Sequence, residues 1–258
     1  MITEERKVRI MELIRKNGFV SVRELMDLFT VSRSSIMRDL EELDRQGYIY
    51  RRRGGASLKN TDELMSRFNE PDVREKETIN TAAKRIVCQK AAELVRDGSN
   101  IYIDSGTTVL WMREFLADRE INIVTPNAML LTRLPESFKG NIILLGGDYS
   151  IRLESVSGMI TDQMLENYSF DYAFLTANGI DFEKEEVYGY NVAYSNNKKT
   201  VLARSDKAEL LIDSSKPYLK GFCKWADVTE FENIFIDEYR GDNTSDNLVI
   251  CKGKKEEI

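Results

Sequence analysis

The chain has 258 residues, 37 basic and 43 acidic side chains, a net charge of −6 and no histidine. The absence of histidine excludes the usual zinc sites and histidine-based catalytic groups, and the three well-separated cysteines lack metal-ligand spacing. We therefore predict no metal and no cofactor. No run of about 18 apolar residues is available to span a bilayer, and the N-terminus lacks the apolar core of a signal peptide. The sequence thus predicts a cytoplasmic protein with no membrane partner.

Charge is distributed unevenly along the chain. Residues 1–56 carry 12 basic and 9 acidic side chains, a net of +3, while the remainder carries 25 basic and 34 acidic side chains, a net of −9. A local basic region on an acidic chain is consistent with nucleic-acid binding by one domain. The length favours two domains.

The first predicted elements are three short helices. Apolar residues at helical spacing predict a helix over 4–17. Ser21 and Glu24 fit a capping box, which predicts that a second helix begins there. Thr30 and Val31 form the predicted turn, and Ser32 is the predicted cap of the third helix.

The third helix presents a polar face that suits DNA. Ile36 and Leu40 lie on its inward side, which leaves hydroxyls and arginines on the opposite side near the helix N-terminus. Serine can contact base edges or phosphates, and arginine can pair with guanine in the major groove. A short strand and a basic turn follow and predict a wing. The candidate DNA-binding residues are Ser32, Arg33, Ser34, Ser35, Met37, Arg38, Arg51, Arg52 and Arg53.

Residues 6–56 resemble the DNA-binding domain of the DeoR family of bacterial transcription repressors. Ser35-Ile36-Met37-Arg38-Asp39-Leu40 is similar to the family's T-I-R-R-D-L, and Arg53-Gly54-Gly55-Ala56 is similar to its H-G-G-A wing. Ser35 replaces a threonine and Met37 replaces an arginine. The resemblance implies a winged helix-turn-helix domain; the alternative is an ordinary helical hairpin with a solvated polar face.

A polar segment over 57–77 is the predicted linker. From about residue 80, short apolar strands alternate with helices, a pattern that predicts an α/β domain with a mainly parallel sheet over 78–258. Small polar turns follow five of these strands, including Asp104–Thr108, which has glycine and hydroxyls for an anion. A capped strand-to-helix turn is the alternative for that motif. In such sheets ligands bind at the carboxyl ends of strands.

These turns extend the resemblance to the DeoR sensor domain, whose fold is Rossmann-like and similar to ribose-5-phosphate isomerase. The resemblance implies a phosphorylated sugar as effector, with Lys198, Lys216 and Arg152 as candidate cations for its phosphate. Asn178 and the pair Tyr194-Ser195 depart from the family pattern. The candidate effector-binding residues are Asp104, Ser105, Gly106, Thr107, Thr108, Thr125, Asn127, Gly146, Gly147, Asn178, Gly179, Lys198 and Lys216.

The predicted function is a DNA-binding regulator, a repressor of a carbohydrate operon that binds operator DNA as a dimer or tetramer and responds to a sugar phosphate. It is not expected to be an enzyme. One alternative is a sugar-phosphate isomerase with an appended DNA-binding module, for which Asp104, Asp181 and Glu183 are available carboxylates. Another is a DNA-binding protein whose sensor has lost its ligand.

Overall fold

The computed structural model describes residues 6–7, 9–11, 13–14, 19–45, 48–52, 54–58, 72–217, 219–239, 241 and 245–252, without the side chains of residues 19, 52 and 58. The chain divides into two compact units, Met1–Glu70 and Pro71–Ile258. Of the predicted linker, residues 59–71 lie outside the described residues, while Val73–Glu77 is helical.

The first unit combines helices with a small antiparallel sheet. Its described residues among 6–14 are helical (α1). The elements that follow are β1 Phe19–Ser21, α2 Val22–Phe29, α3 Arg33–Arg45, β2 Ile49–Arg52 and β3 Gly55–Leu58. The sheet order is β1-β3-β2. This arrangement confirms the predicted winged helix-turn-helix, although β1 was not predicted because three residues are too few to show alternation.

The start of α2 follows the predicted capping box. Ser21 Oγ accepts a hydrogen bond from the Glu24 amide at 3.1 Å, and the Glu24 carboxylate accepts one from the Ser21 amide at 2.8 Å. Thr30 ends the helix in the left-handed conformation, with φ of 53°. These local interactions fix where α3 begins.

The second unit is built around seven parallel strands. Its elements from the start of the unit to β6 are α4 Val73–Glu77, α5 Thr81–Ala92, β4 Asn100–Ile103, a 3₁₀ helix Val109–Met112, α6 Arg113–Leu116, β5 Asn122–Thr125, α7 Ala128–Arg133 and β6 Asn141–Leu144. Next come β7 Asp148–Ser150, β8 Ser155–Ser157, α8 Met159–Leu165, β9 Phe170–Leu175, β10 Gly179–Asp181, β11 Glu186–Gly189 and α9 Val192–Ala203. The last are β12 Ser205–Leu211, β13 Cys223–Asp227, a 3₁₀ helix Val228–Glu230, β14 Asn233–Ile236 and β15 Leu248–Ile250.

The main sheet has the order β15-β14-β12-β9-β4-β5-β6, and all its strand pairs are parallel. Successive residues of a strand point to opposite faces. Accordingly, Ile101 and Ile103 belong to the apolar core on one face, and Tyr102 belongs to the core on the other. The predicted α/β class is confirmed, with the sheet covered on both sides.

The order of the strands positions the candidate site. From β4 the chain builds towards one edge through β5 and β6, and it returns to build towards the other edge from β9. The turns that follow β4 and β9 therefore flank the point where the strand order reverses, which is where open α/β sheets bind ligands. Two features were not predicted: the β7–β8 hairpin and the antiparallel sheet β10-β11-β13. Their strands are only three to five residues long.

Candidate functional site

The N-terminus of α3 presents a cluster of serine hydroxyls. Ser32 Oγ lies 2.8 Å from Ser34 Oγ and 3.0 Å from Ser35 Oγ, and it accepts a hydrogen bond from the Ser35 amide at 3.3 Å. Ser32, Arg33 and Ser34 are exposed, and Ser35 is half-buried. This helix start therefore offers hydroxyls and a positive charge to solvent, a chemistry that suits phosphate and base-edge contacts.

The other candidate DNA-binding residues differ in how far their side chains are exposed. Arg38 is exposed, as predicted for the outer face of α3. Met37, predicted on the same outer face, is half-buried and packs against the apolar core of the first unit. Arg51 Nη1 lies 3.0 Å from Glu41 Oε1. Arg53 and the side chain of Arg52 lie outside the described residues.

A buried ion pair joins α1 to α3. Arg6 donates through Nε to Asp39 Oδ2 at 2.5 Å and through Nη2 to Asp39 Oδ1 at 3.1 Å. The hydrogen bonds that Arg6 donates to Asp39 raise the pKa of the Arg6 guanidinium. Asp39 follows Ile36 by three residues on the buried face, and that spacing was the signal that could have identified it.

Asp104 is the centre of the second candidate site. It follows β4, is 1% exposed, and its Oδ2 accepts hydrogen bonds from the amide of Thr176 at 2.9 Å and the hydroxyl of Thr176 at 2.5 Å. A Cβ at Gly106 would collide with the Thr176 side chain, so glycine permits the close approach of the two turns. The strand-order reversal thus brings together turns that are 72 residues apart in sequence.

Lys198, a candidate cation for the effector phosphate, lies in a buried ion pair. Its Nζ lies 2.7 Å from Asp104 Oδ2, also donates to the carbonyl of Thr176, and lies 5.1 Å from the centroid of the Trp225 ring. The side chain is 8% exposed. Because its charge is already neutralised, Lys198 holds the Asp104 turn in place, and its role as the phosphate cation is a less suitable interpretation.

Lys84 is a second buried ammonium, and the sequence analysis did not identify it. It lies on α5 and is 4% exposed, and its Nζ donates to the Lys76 carbonyl at 2.5 Å and to Thr107 Oγ1 at 3.1 Å. Burial lowers the pKa of Lys84 to about 8; nearby Asp213 opposes that effect, while Lys216 and Lys76 add to it. Lys84, Val87 and Ala91 are spaced as residues on one face of a helix, and this spacing was the sequence signal that Lys84 is buried.

Asp213 and Lys216 lie on the turn after β12. Lys216 Nζ is 4.0 Å from Asp213 Oδ2, and its side chain is 28% exposed. Asp213 is buried and also accepts hydrogen bonds from Asn80 Nδ2 at 2.9 Å and from Ser215. Burial alone would raise the pKa of Asp213, but Lys216, Ser215 and Lys84 together lower it below its ordinary value. Of the three candidate cations, Lys216 is the half-buried one at the turns.

Thr125 and Asn127 support the Asp104 turn from the next strand. Thr125 Oγ1 donates to the Ile103 carbonyl at 2.6 Å, and Asn127 Nδ2 donates to the Asp104 carbonyl at 3.2 Å. Asn127 also caps α7 by accepting from the amides of Met129 and Leu130. Both side chains are fully buried. Their polar atoms are used inside the protein, which makes them supports for the turn.

The remaining predicted residues occupy the surrounding turns. Thr161 Oγ1 donates to the Gly146 carbonyl at 2.8 Å, and Gly147 adopts φ of 145° beside Thr161. Gly179 packs so closely on the backbone of Leu219 that a side chain would collide there. The positions with partial exposure at the reversal point are Ser105, Gly106, Asn178, Ser214, Ser215 and Lys216, whereas Thr107 and Thr108 are buried.

Arg152 lies in the β7–β8 hairpin and not in a turn that follows a strand of the main sheet. Its side chain is exposed in the turn between β7 and β8, and its carbonyl accepts a hydrogen bond from the amide of Val73 at 3.0 Å. Among the described residues, no helix is both long and apolar enough to cross a membrane.

Two protein families match the chain. The family described as the DeoR-like helix-turn-helix domain matches residues 6–62, and the DeoR C-terminal sensor domain matches residues 79–238. The lactose phosphotransferase system repressor of Streptococcus mutans is 31% identical over 241 residues, covering 92% of this chain and 93% of the relative. The glycerol-3-phosphate regulon repressor of Escherichia coli is 28% identical over 229 residues, covering 88% of each chain.

The chain also has partial similarity to solved structures. Ribose 5-phosphate isomerase A from Methanocaldococcus jannaschii is 18% identical, with a TM-score of 0.39 over 54% of this chain and 55% of that one.

Proposed function

This chain belongs to the DeoR family of bacterial transcription regulators, and from that premise we propose that it represses a carbohydrate operon and responds to a sugar phosphate. The family and the names of the relatives are those of regulators and not of enzymes. One relative is named for the lactose phosphotransferase system and another for the glycerol-3-phosphate regulon. A phosphorylated sugar or polyol is therefore the ligand class we propose.

The observation that carries the proposal is the meeting of two cations at the strand-order reversal. Lys84 reaches the Asp104–Thr108 turn from α5, and Lys216 lies on the turn after β12. Lys216 Nζ lies 4.0 Å from Asp213 Oδ2, and both ammonium groups lower the pKa of the Asp213 carboxyl. A phosphate at the half-buried residues of these turns would be attracted by both ammonium groups and would accept hydrogen bonds from turn amides and hydroxyls.

We propose that α3 contacts the operator in the major groove. Ser32, Arg33, Ser34 and Arg38 offer the hydroxyls and charges that such a contact needs. Operators read by helix-turn-helix proteins are pairs of half-sites that mirror a symmetric protein. We therefore infer a dimer or tetramer of this chain, acting in the cytoplasm, with the DNA-binding domain over 1–56 and the sensor domain over 78–258.

Two of the three carboxylates named for the isomerase alternative already accept hydrogen bonds within the protein. Both Asp104 and Asp181 are occupied: Asp104 accepts from Thr176 and Lys198, and Asp181 accepts from the amides of Glu183 and Lys184 at 3.1 Å. A general base must be free to take a proton from the substrate carbon. These contacts agree with the family in favouring a sensor over a catalyst.

Thermal denaturation tests the proposed ligand class. The full chain is heated with glucose 6-phosphate, fructose 6-phosphate, ribose 5-phosphate, glycerol 3-phosphate or the unphosphorylated sugars. A ligand that binds only the folded state at about 100 times its Kd adds about 2.7 kcal/mol of stability. We expect at least one phosphorylated compound to raise Tm, and Lys84→Met to abolish that rise. A wild-type Tm that none of them changes would favour the alternative in which the sensor has lost its ligand.

A further inference from the structure

α4 is fixed to the sensor unit by four charged side chains, which we call the Arg133 network: Arg74, Glu77, Arg133 and Glu154. Arg133 Nη2 lies 3.0 Å from Glu77 Oε2, and Arg74 Nε lies 3.1 Å from Glu154 Oε1. Glu77 and Arg74 belong to α4, Arg133 ends α7, and Glu154 precedes β8. α4 is therefore held by α7 and by the β7–β8 hairpin together.

α4 is also the first described element of its unit. It begins at Val73, three residues after Glu70, the last residue of the first unit. α4 is therefore the described element of the sensor unit that lies nearest in sequence to the first unit. A contact that fixes or releases α4 is therefore well placed to link effector binding with operator binding.

One hydrogen-bonded path runs from the Asp104 turn to α4 through α7. Asn127 donates to the Asp104 carbonyl and caps the first turn of α7, whose six residues end at Arg133. Arg133 then pairs with Glu77 on α4. Asn127 and α7 thus connect the Asp104 turn to the Arg133 guanidinium.

A second path runs through α5. Lys84 Nζ donates both to Thr107 Oγ1, in the same turn, and to the carbonyl of Lys76 in α4. An anion that attracts this ammonium competes with the Lys76 carbonyl for its protons. Two independent paths therefore connect the candidate effector turn with one five-residue helix.

The network contains an unsatisfied donor. Arg133 Nη1 is buried and has no hydrogen-bond partner among the described residues; it lies 3.9 Å from Glu154 Oε2, beyond hydrogen-bond distance. Buried donors are nearly always bonded, and an exception calls for an explanation. Glu154 is paired with Arg74 of α4, so a shift of α4 that breaks this pair would leave Glu154 free to accept a hydrogen bond from Arg133 Nη1.

We propose that the Arg133 network is the element that couples effector binding to operator binding. This inference rests on the function proposed above. In it, occupancy of the Asp104 turn changes the partners of Arg133 and Lys84, α4 is repositioned, and the DNA-binding domain changes its affinity for the operator. Coupling through such an element is reciprocal, so operator binding must also change the state of α4.

The test compares Arg133→Met and Glu77→Gln with the wild type and with Arg85→Met. Arg85 is a matched control because its pair with Glu114, 2.8 Å apart, is partly exposed and lies outside the network. The probes are a duplex selected from a random-sequence pool and the sugar phosphate that most raises the wild-type Tm. We expect both network variants to bind each probe alone as the wild type does. The sugar phosphate should change operator affinity about 5–150-fold in the wild type and Arg85→Met, but less than about twofold in the network variants.

Full coupling in Arg133→Met and Glu77→Gln would overturn the proposal, as would loss of sugar-phosphate binding in both variants. Hydrogen exchange of the operator complex decides the matter without any sugar phosphate. In the wild type, operator binding should change the hydrogen-exchange rates of the backbone amides in both α4 (73–77) and α7 (128–133). In Arg133→Met it should change only the rates in α4. Unchanged exchange at 73–77 in the wild type would refute this coupling route, whereas failure of every sugar phosphate to bind would refute only the proposed effector.

Discussion

Lys198 and Asp104 form a buried ion pair at the point where the strand order of the main sheet reverses. The Nζ atom lies 2.7 Å from Oδ2, and the two side chains are 8% and 2% exposed. Thr176 bonds to both partners. The pair therefore fixes the turns after β4 and β9 against each other.

Breaking this pair should destabilise the sensor unit. Asp104→Asn or Lys198→Met leaves one buried charge without its partner, which costs about 3–5 kcal/mol. The double variant removes both charges and should recover part of that loss. Urea unfolding of the full chain measures these differences. Lys207→Met is the control, because its 3.9 Å pair with Glu232 is exposed and should contribute no more than about 1 kcal/mol. Single variants as stable as this control would contradict the structural role of the pair.

Sugar-phosphate affinity should fall as the pH is raised. Burial lowers the pKa of Lys84 to about 8, while a phosphate monoester has its second pKa near 6 and stays dianionic above pH 7. Between pH of about 7 and 9 the charged fraction of Lys84 falls from about nine-tenths to about one-tenth, so affinity should weaken about tenfold. Isothermal titration calorimetry across this range measures the effect.

Lys84→Arg keeps the charge without titrating in this range and should remove most of the pH dependence. Lys90→Met, a change at an exposed lysine of the same helix, should leave the dependence as it is in the wild type. An affinity that stays constant from pH of about 7 to 9 in the wild type would show that the Lys84 ammonium does not contact the phosphate.

Operator binding should depend on the start of α3 more than on its end. Arg38→Ala removes an exposed guanidinium near the hydroxyl cluster, and loss of one base contact costs about 1–3 kcal/mol. Arg45→Ala is the matched control on the same helix, where the guanidinium lies 2.5 Å from Glu42 and far from the N-terminus. Fluorescence anisotropy with a selected duplex gives both affinities. Equal losses in the two variants would place the DNA surface elsewhere.

The sequence could predict the main architecture because its signals are local and periodic. The capping box of Ser21 and Glu24 and the apolar strands of the seven-stranded sheet are properties of adjacent residues, and each was located within a few residues. The parallel arrangement followed from the alternation of strands and helices. Short antiparallel strands such as β10 have too few residues for a period to be seen.

The details of the site could not be predicted because they depend on partners distant in sequence. Lys198 is 94 residues from Asp104, and nothing in its neighbourhood indicates that its charge is neutralised. Lys84 stands on the buried face of an apolar helix, and its contact with Thr107 appears only when α5 packs beside the turn. Met37 packs against a core whose shape the helical period does not define.

The central claim is that one chain binds operator DNA and senses a phosphorylated sugar. Its most direct test is the affinity of the full chain for a selected duplex, with and without each sugar phosphate, at fixed physiological salt. We expect at least one sugar phosphate to change this affinity about 5–150-fold, while its unphosphorylated sugar has no effect. An operator affinity that is the same in the presence of every sugar phosphate would contradict it.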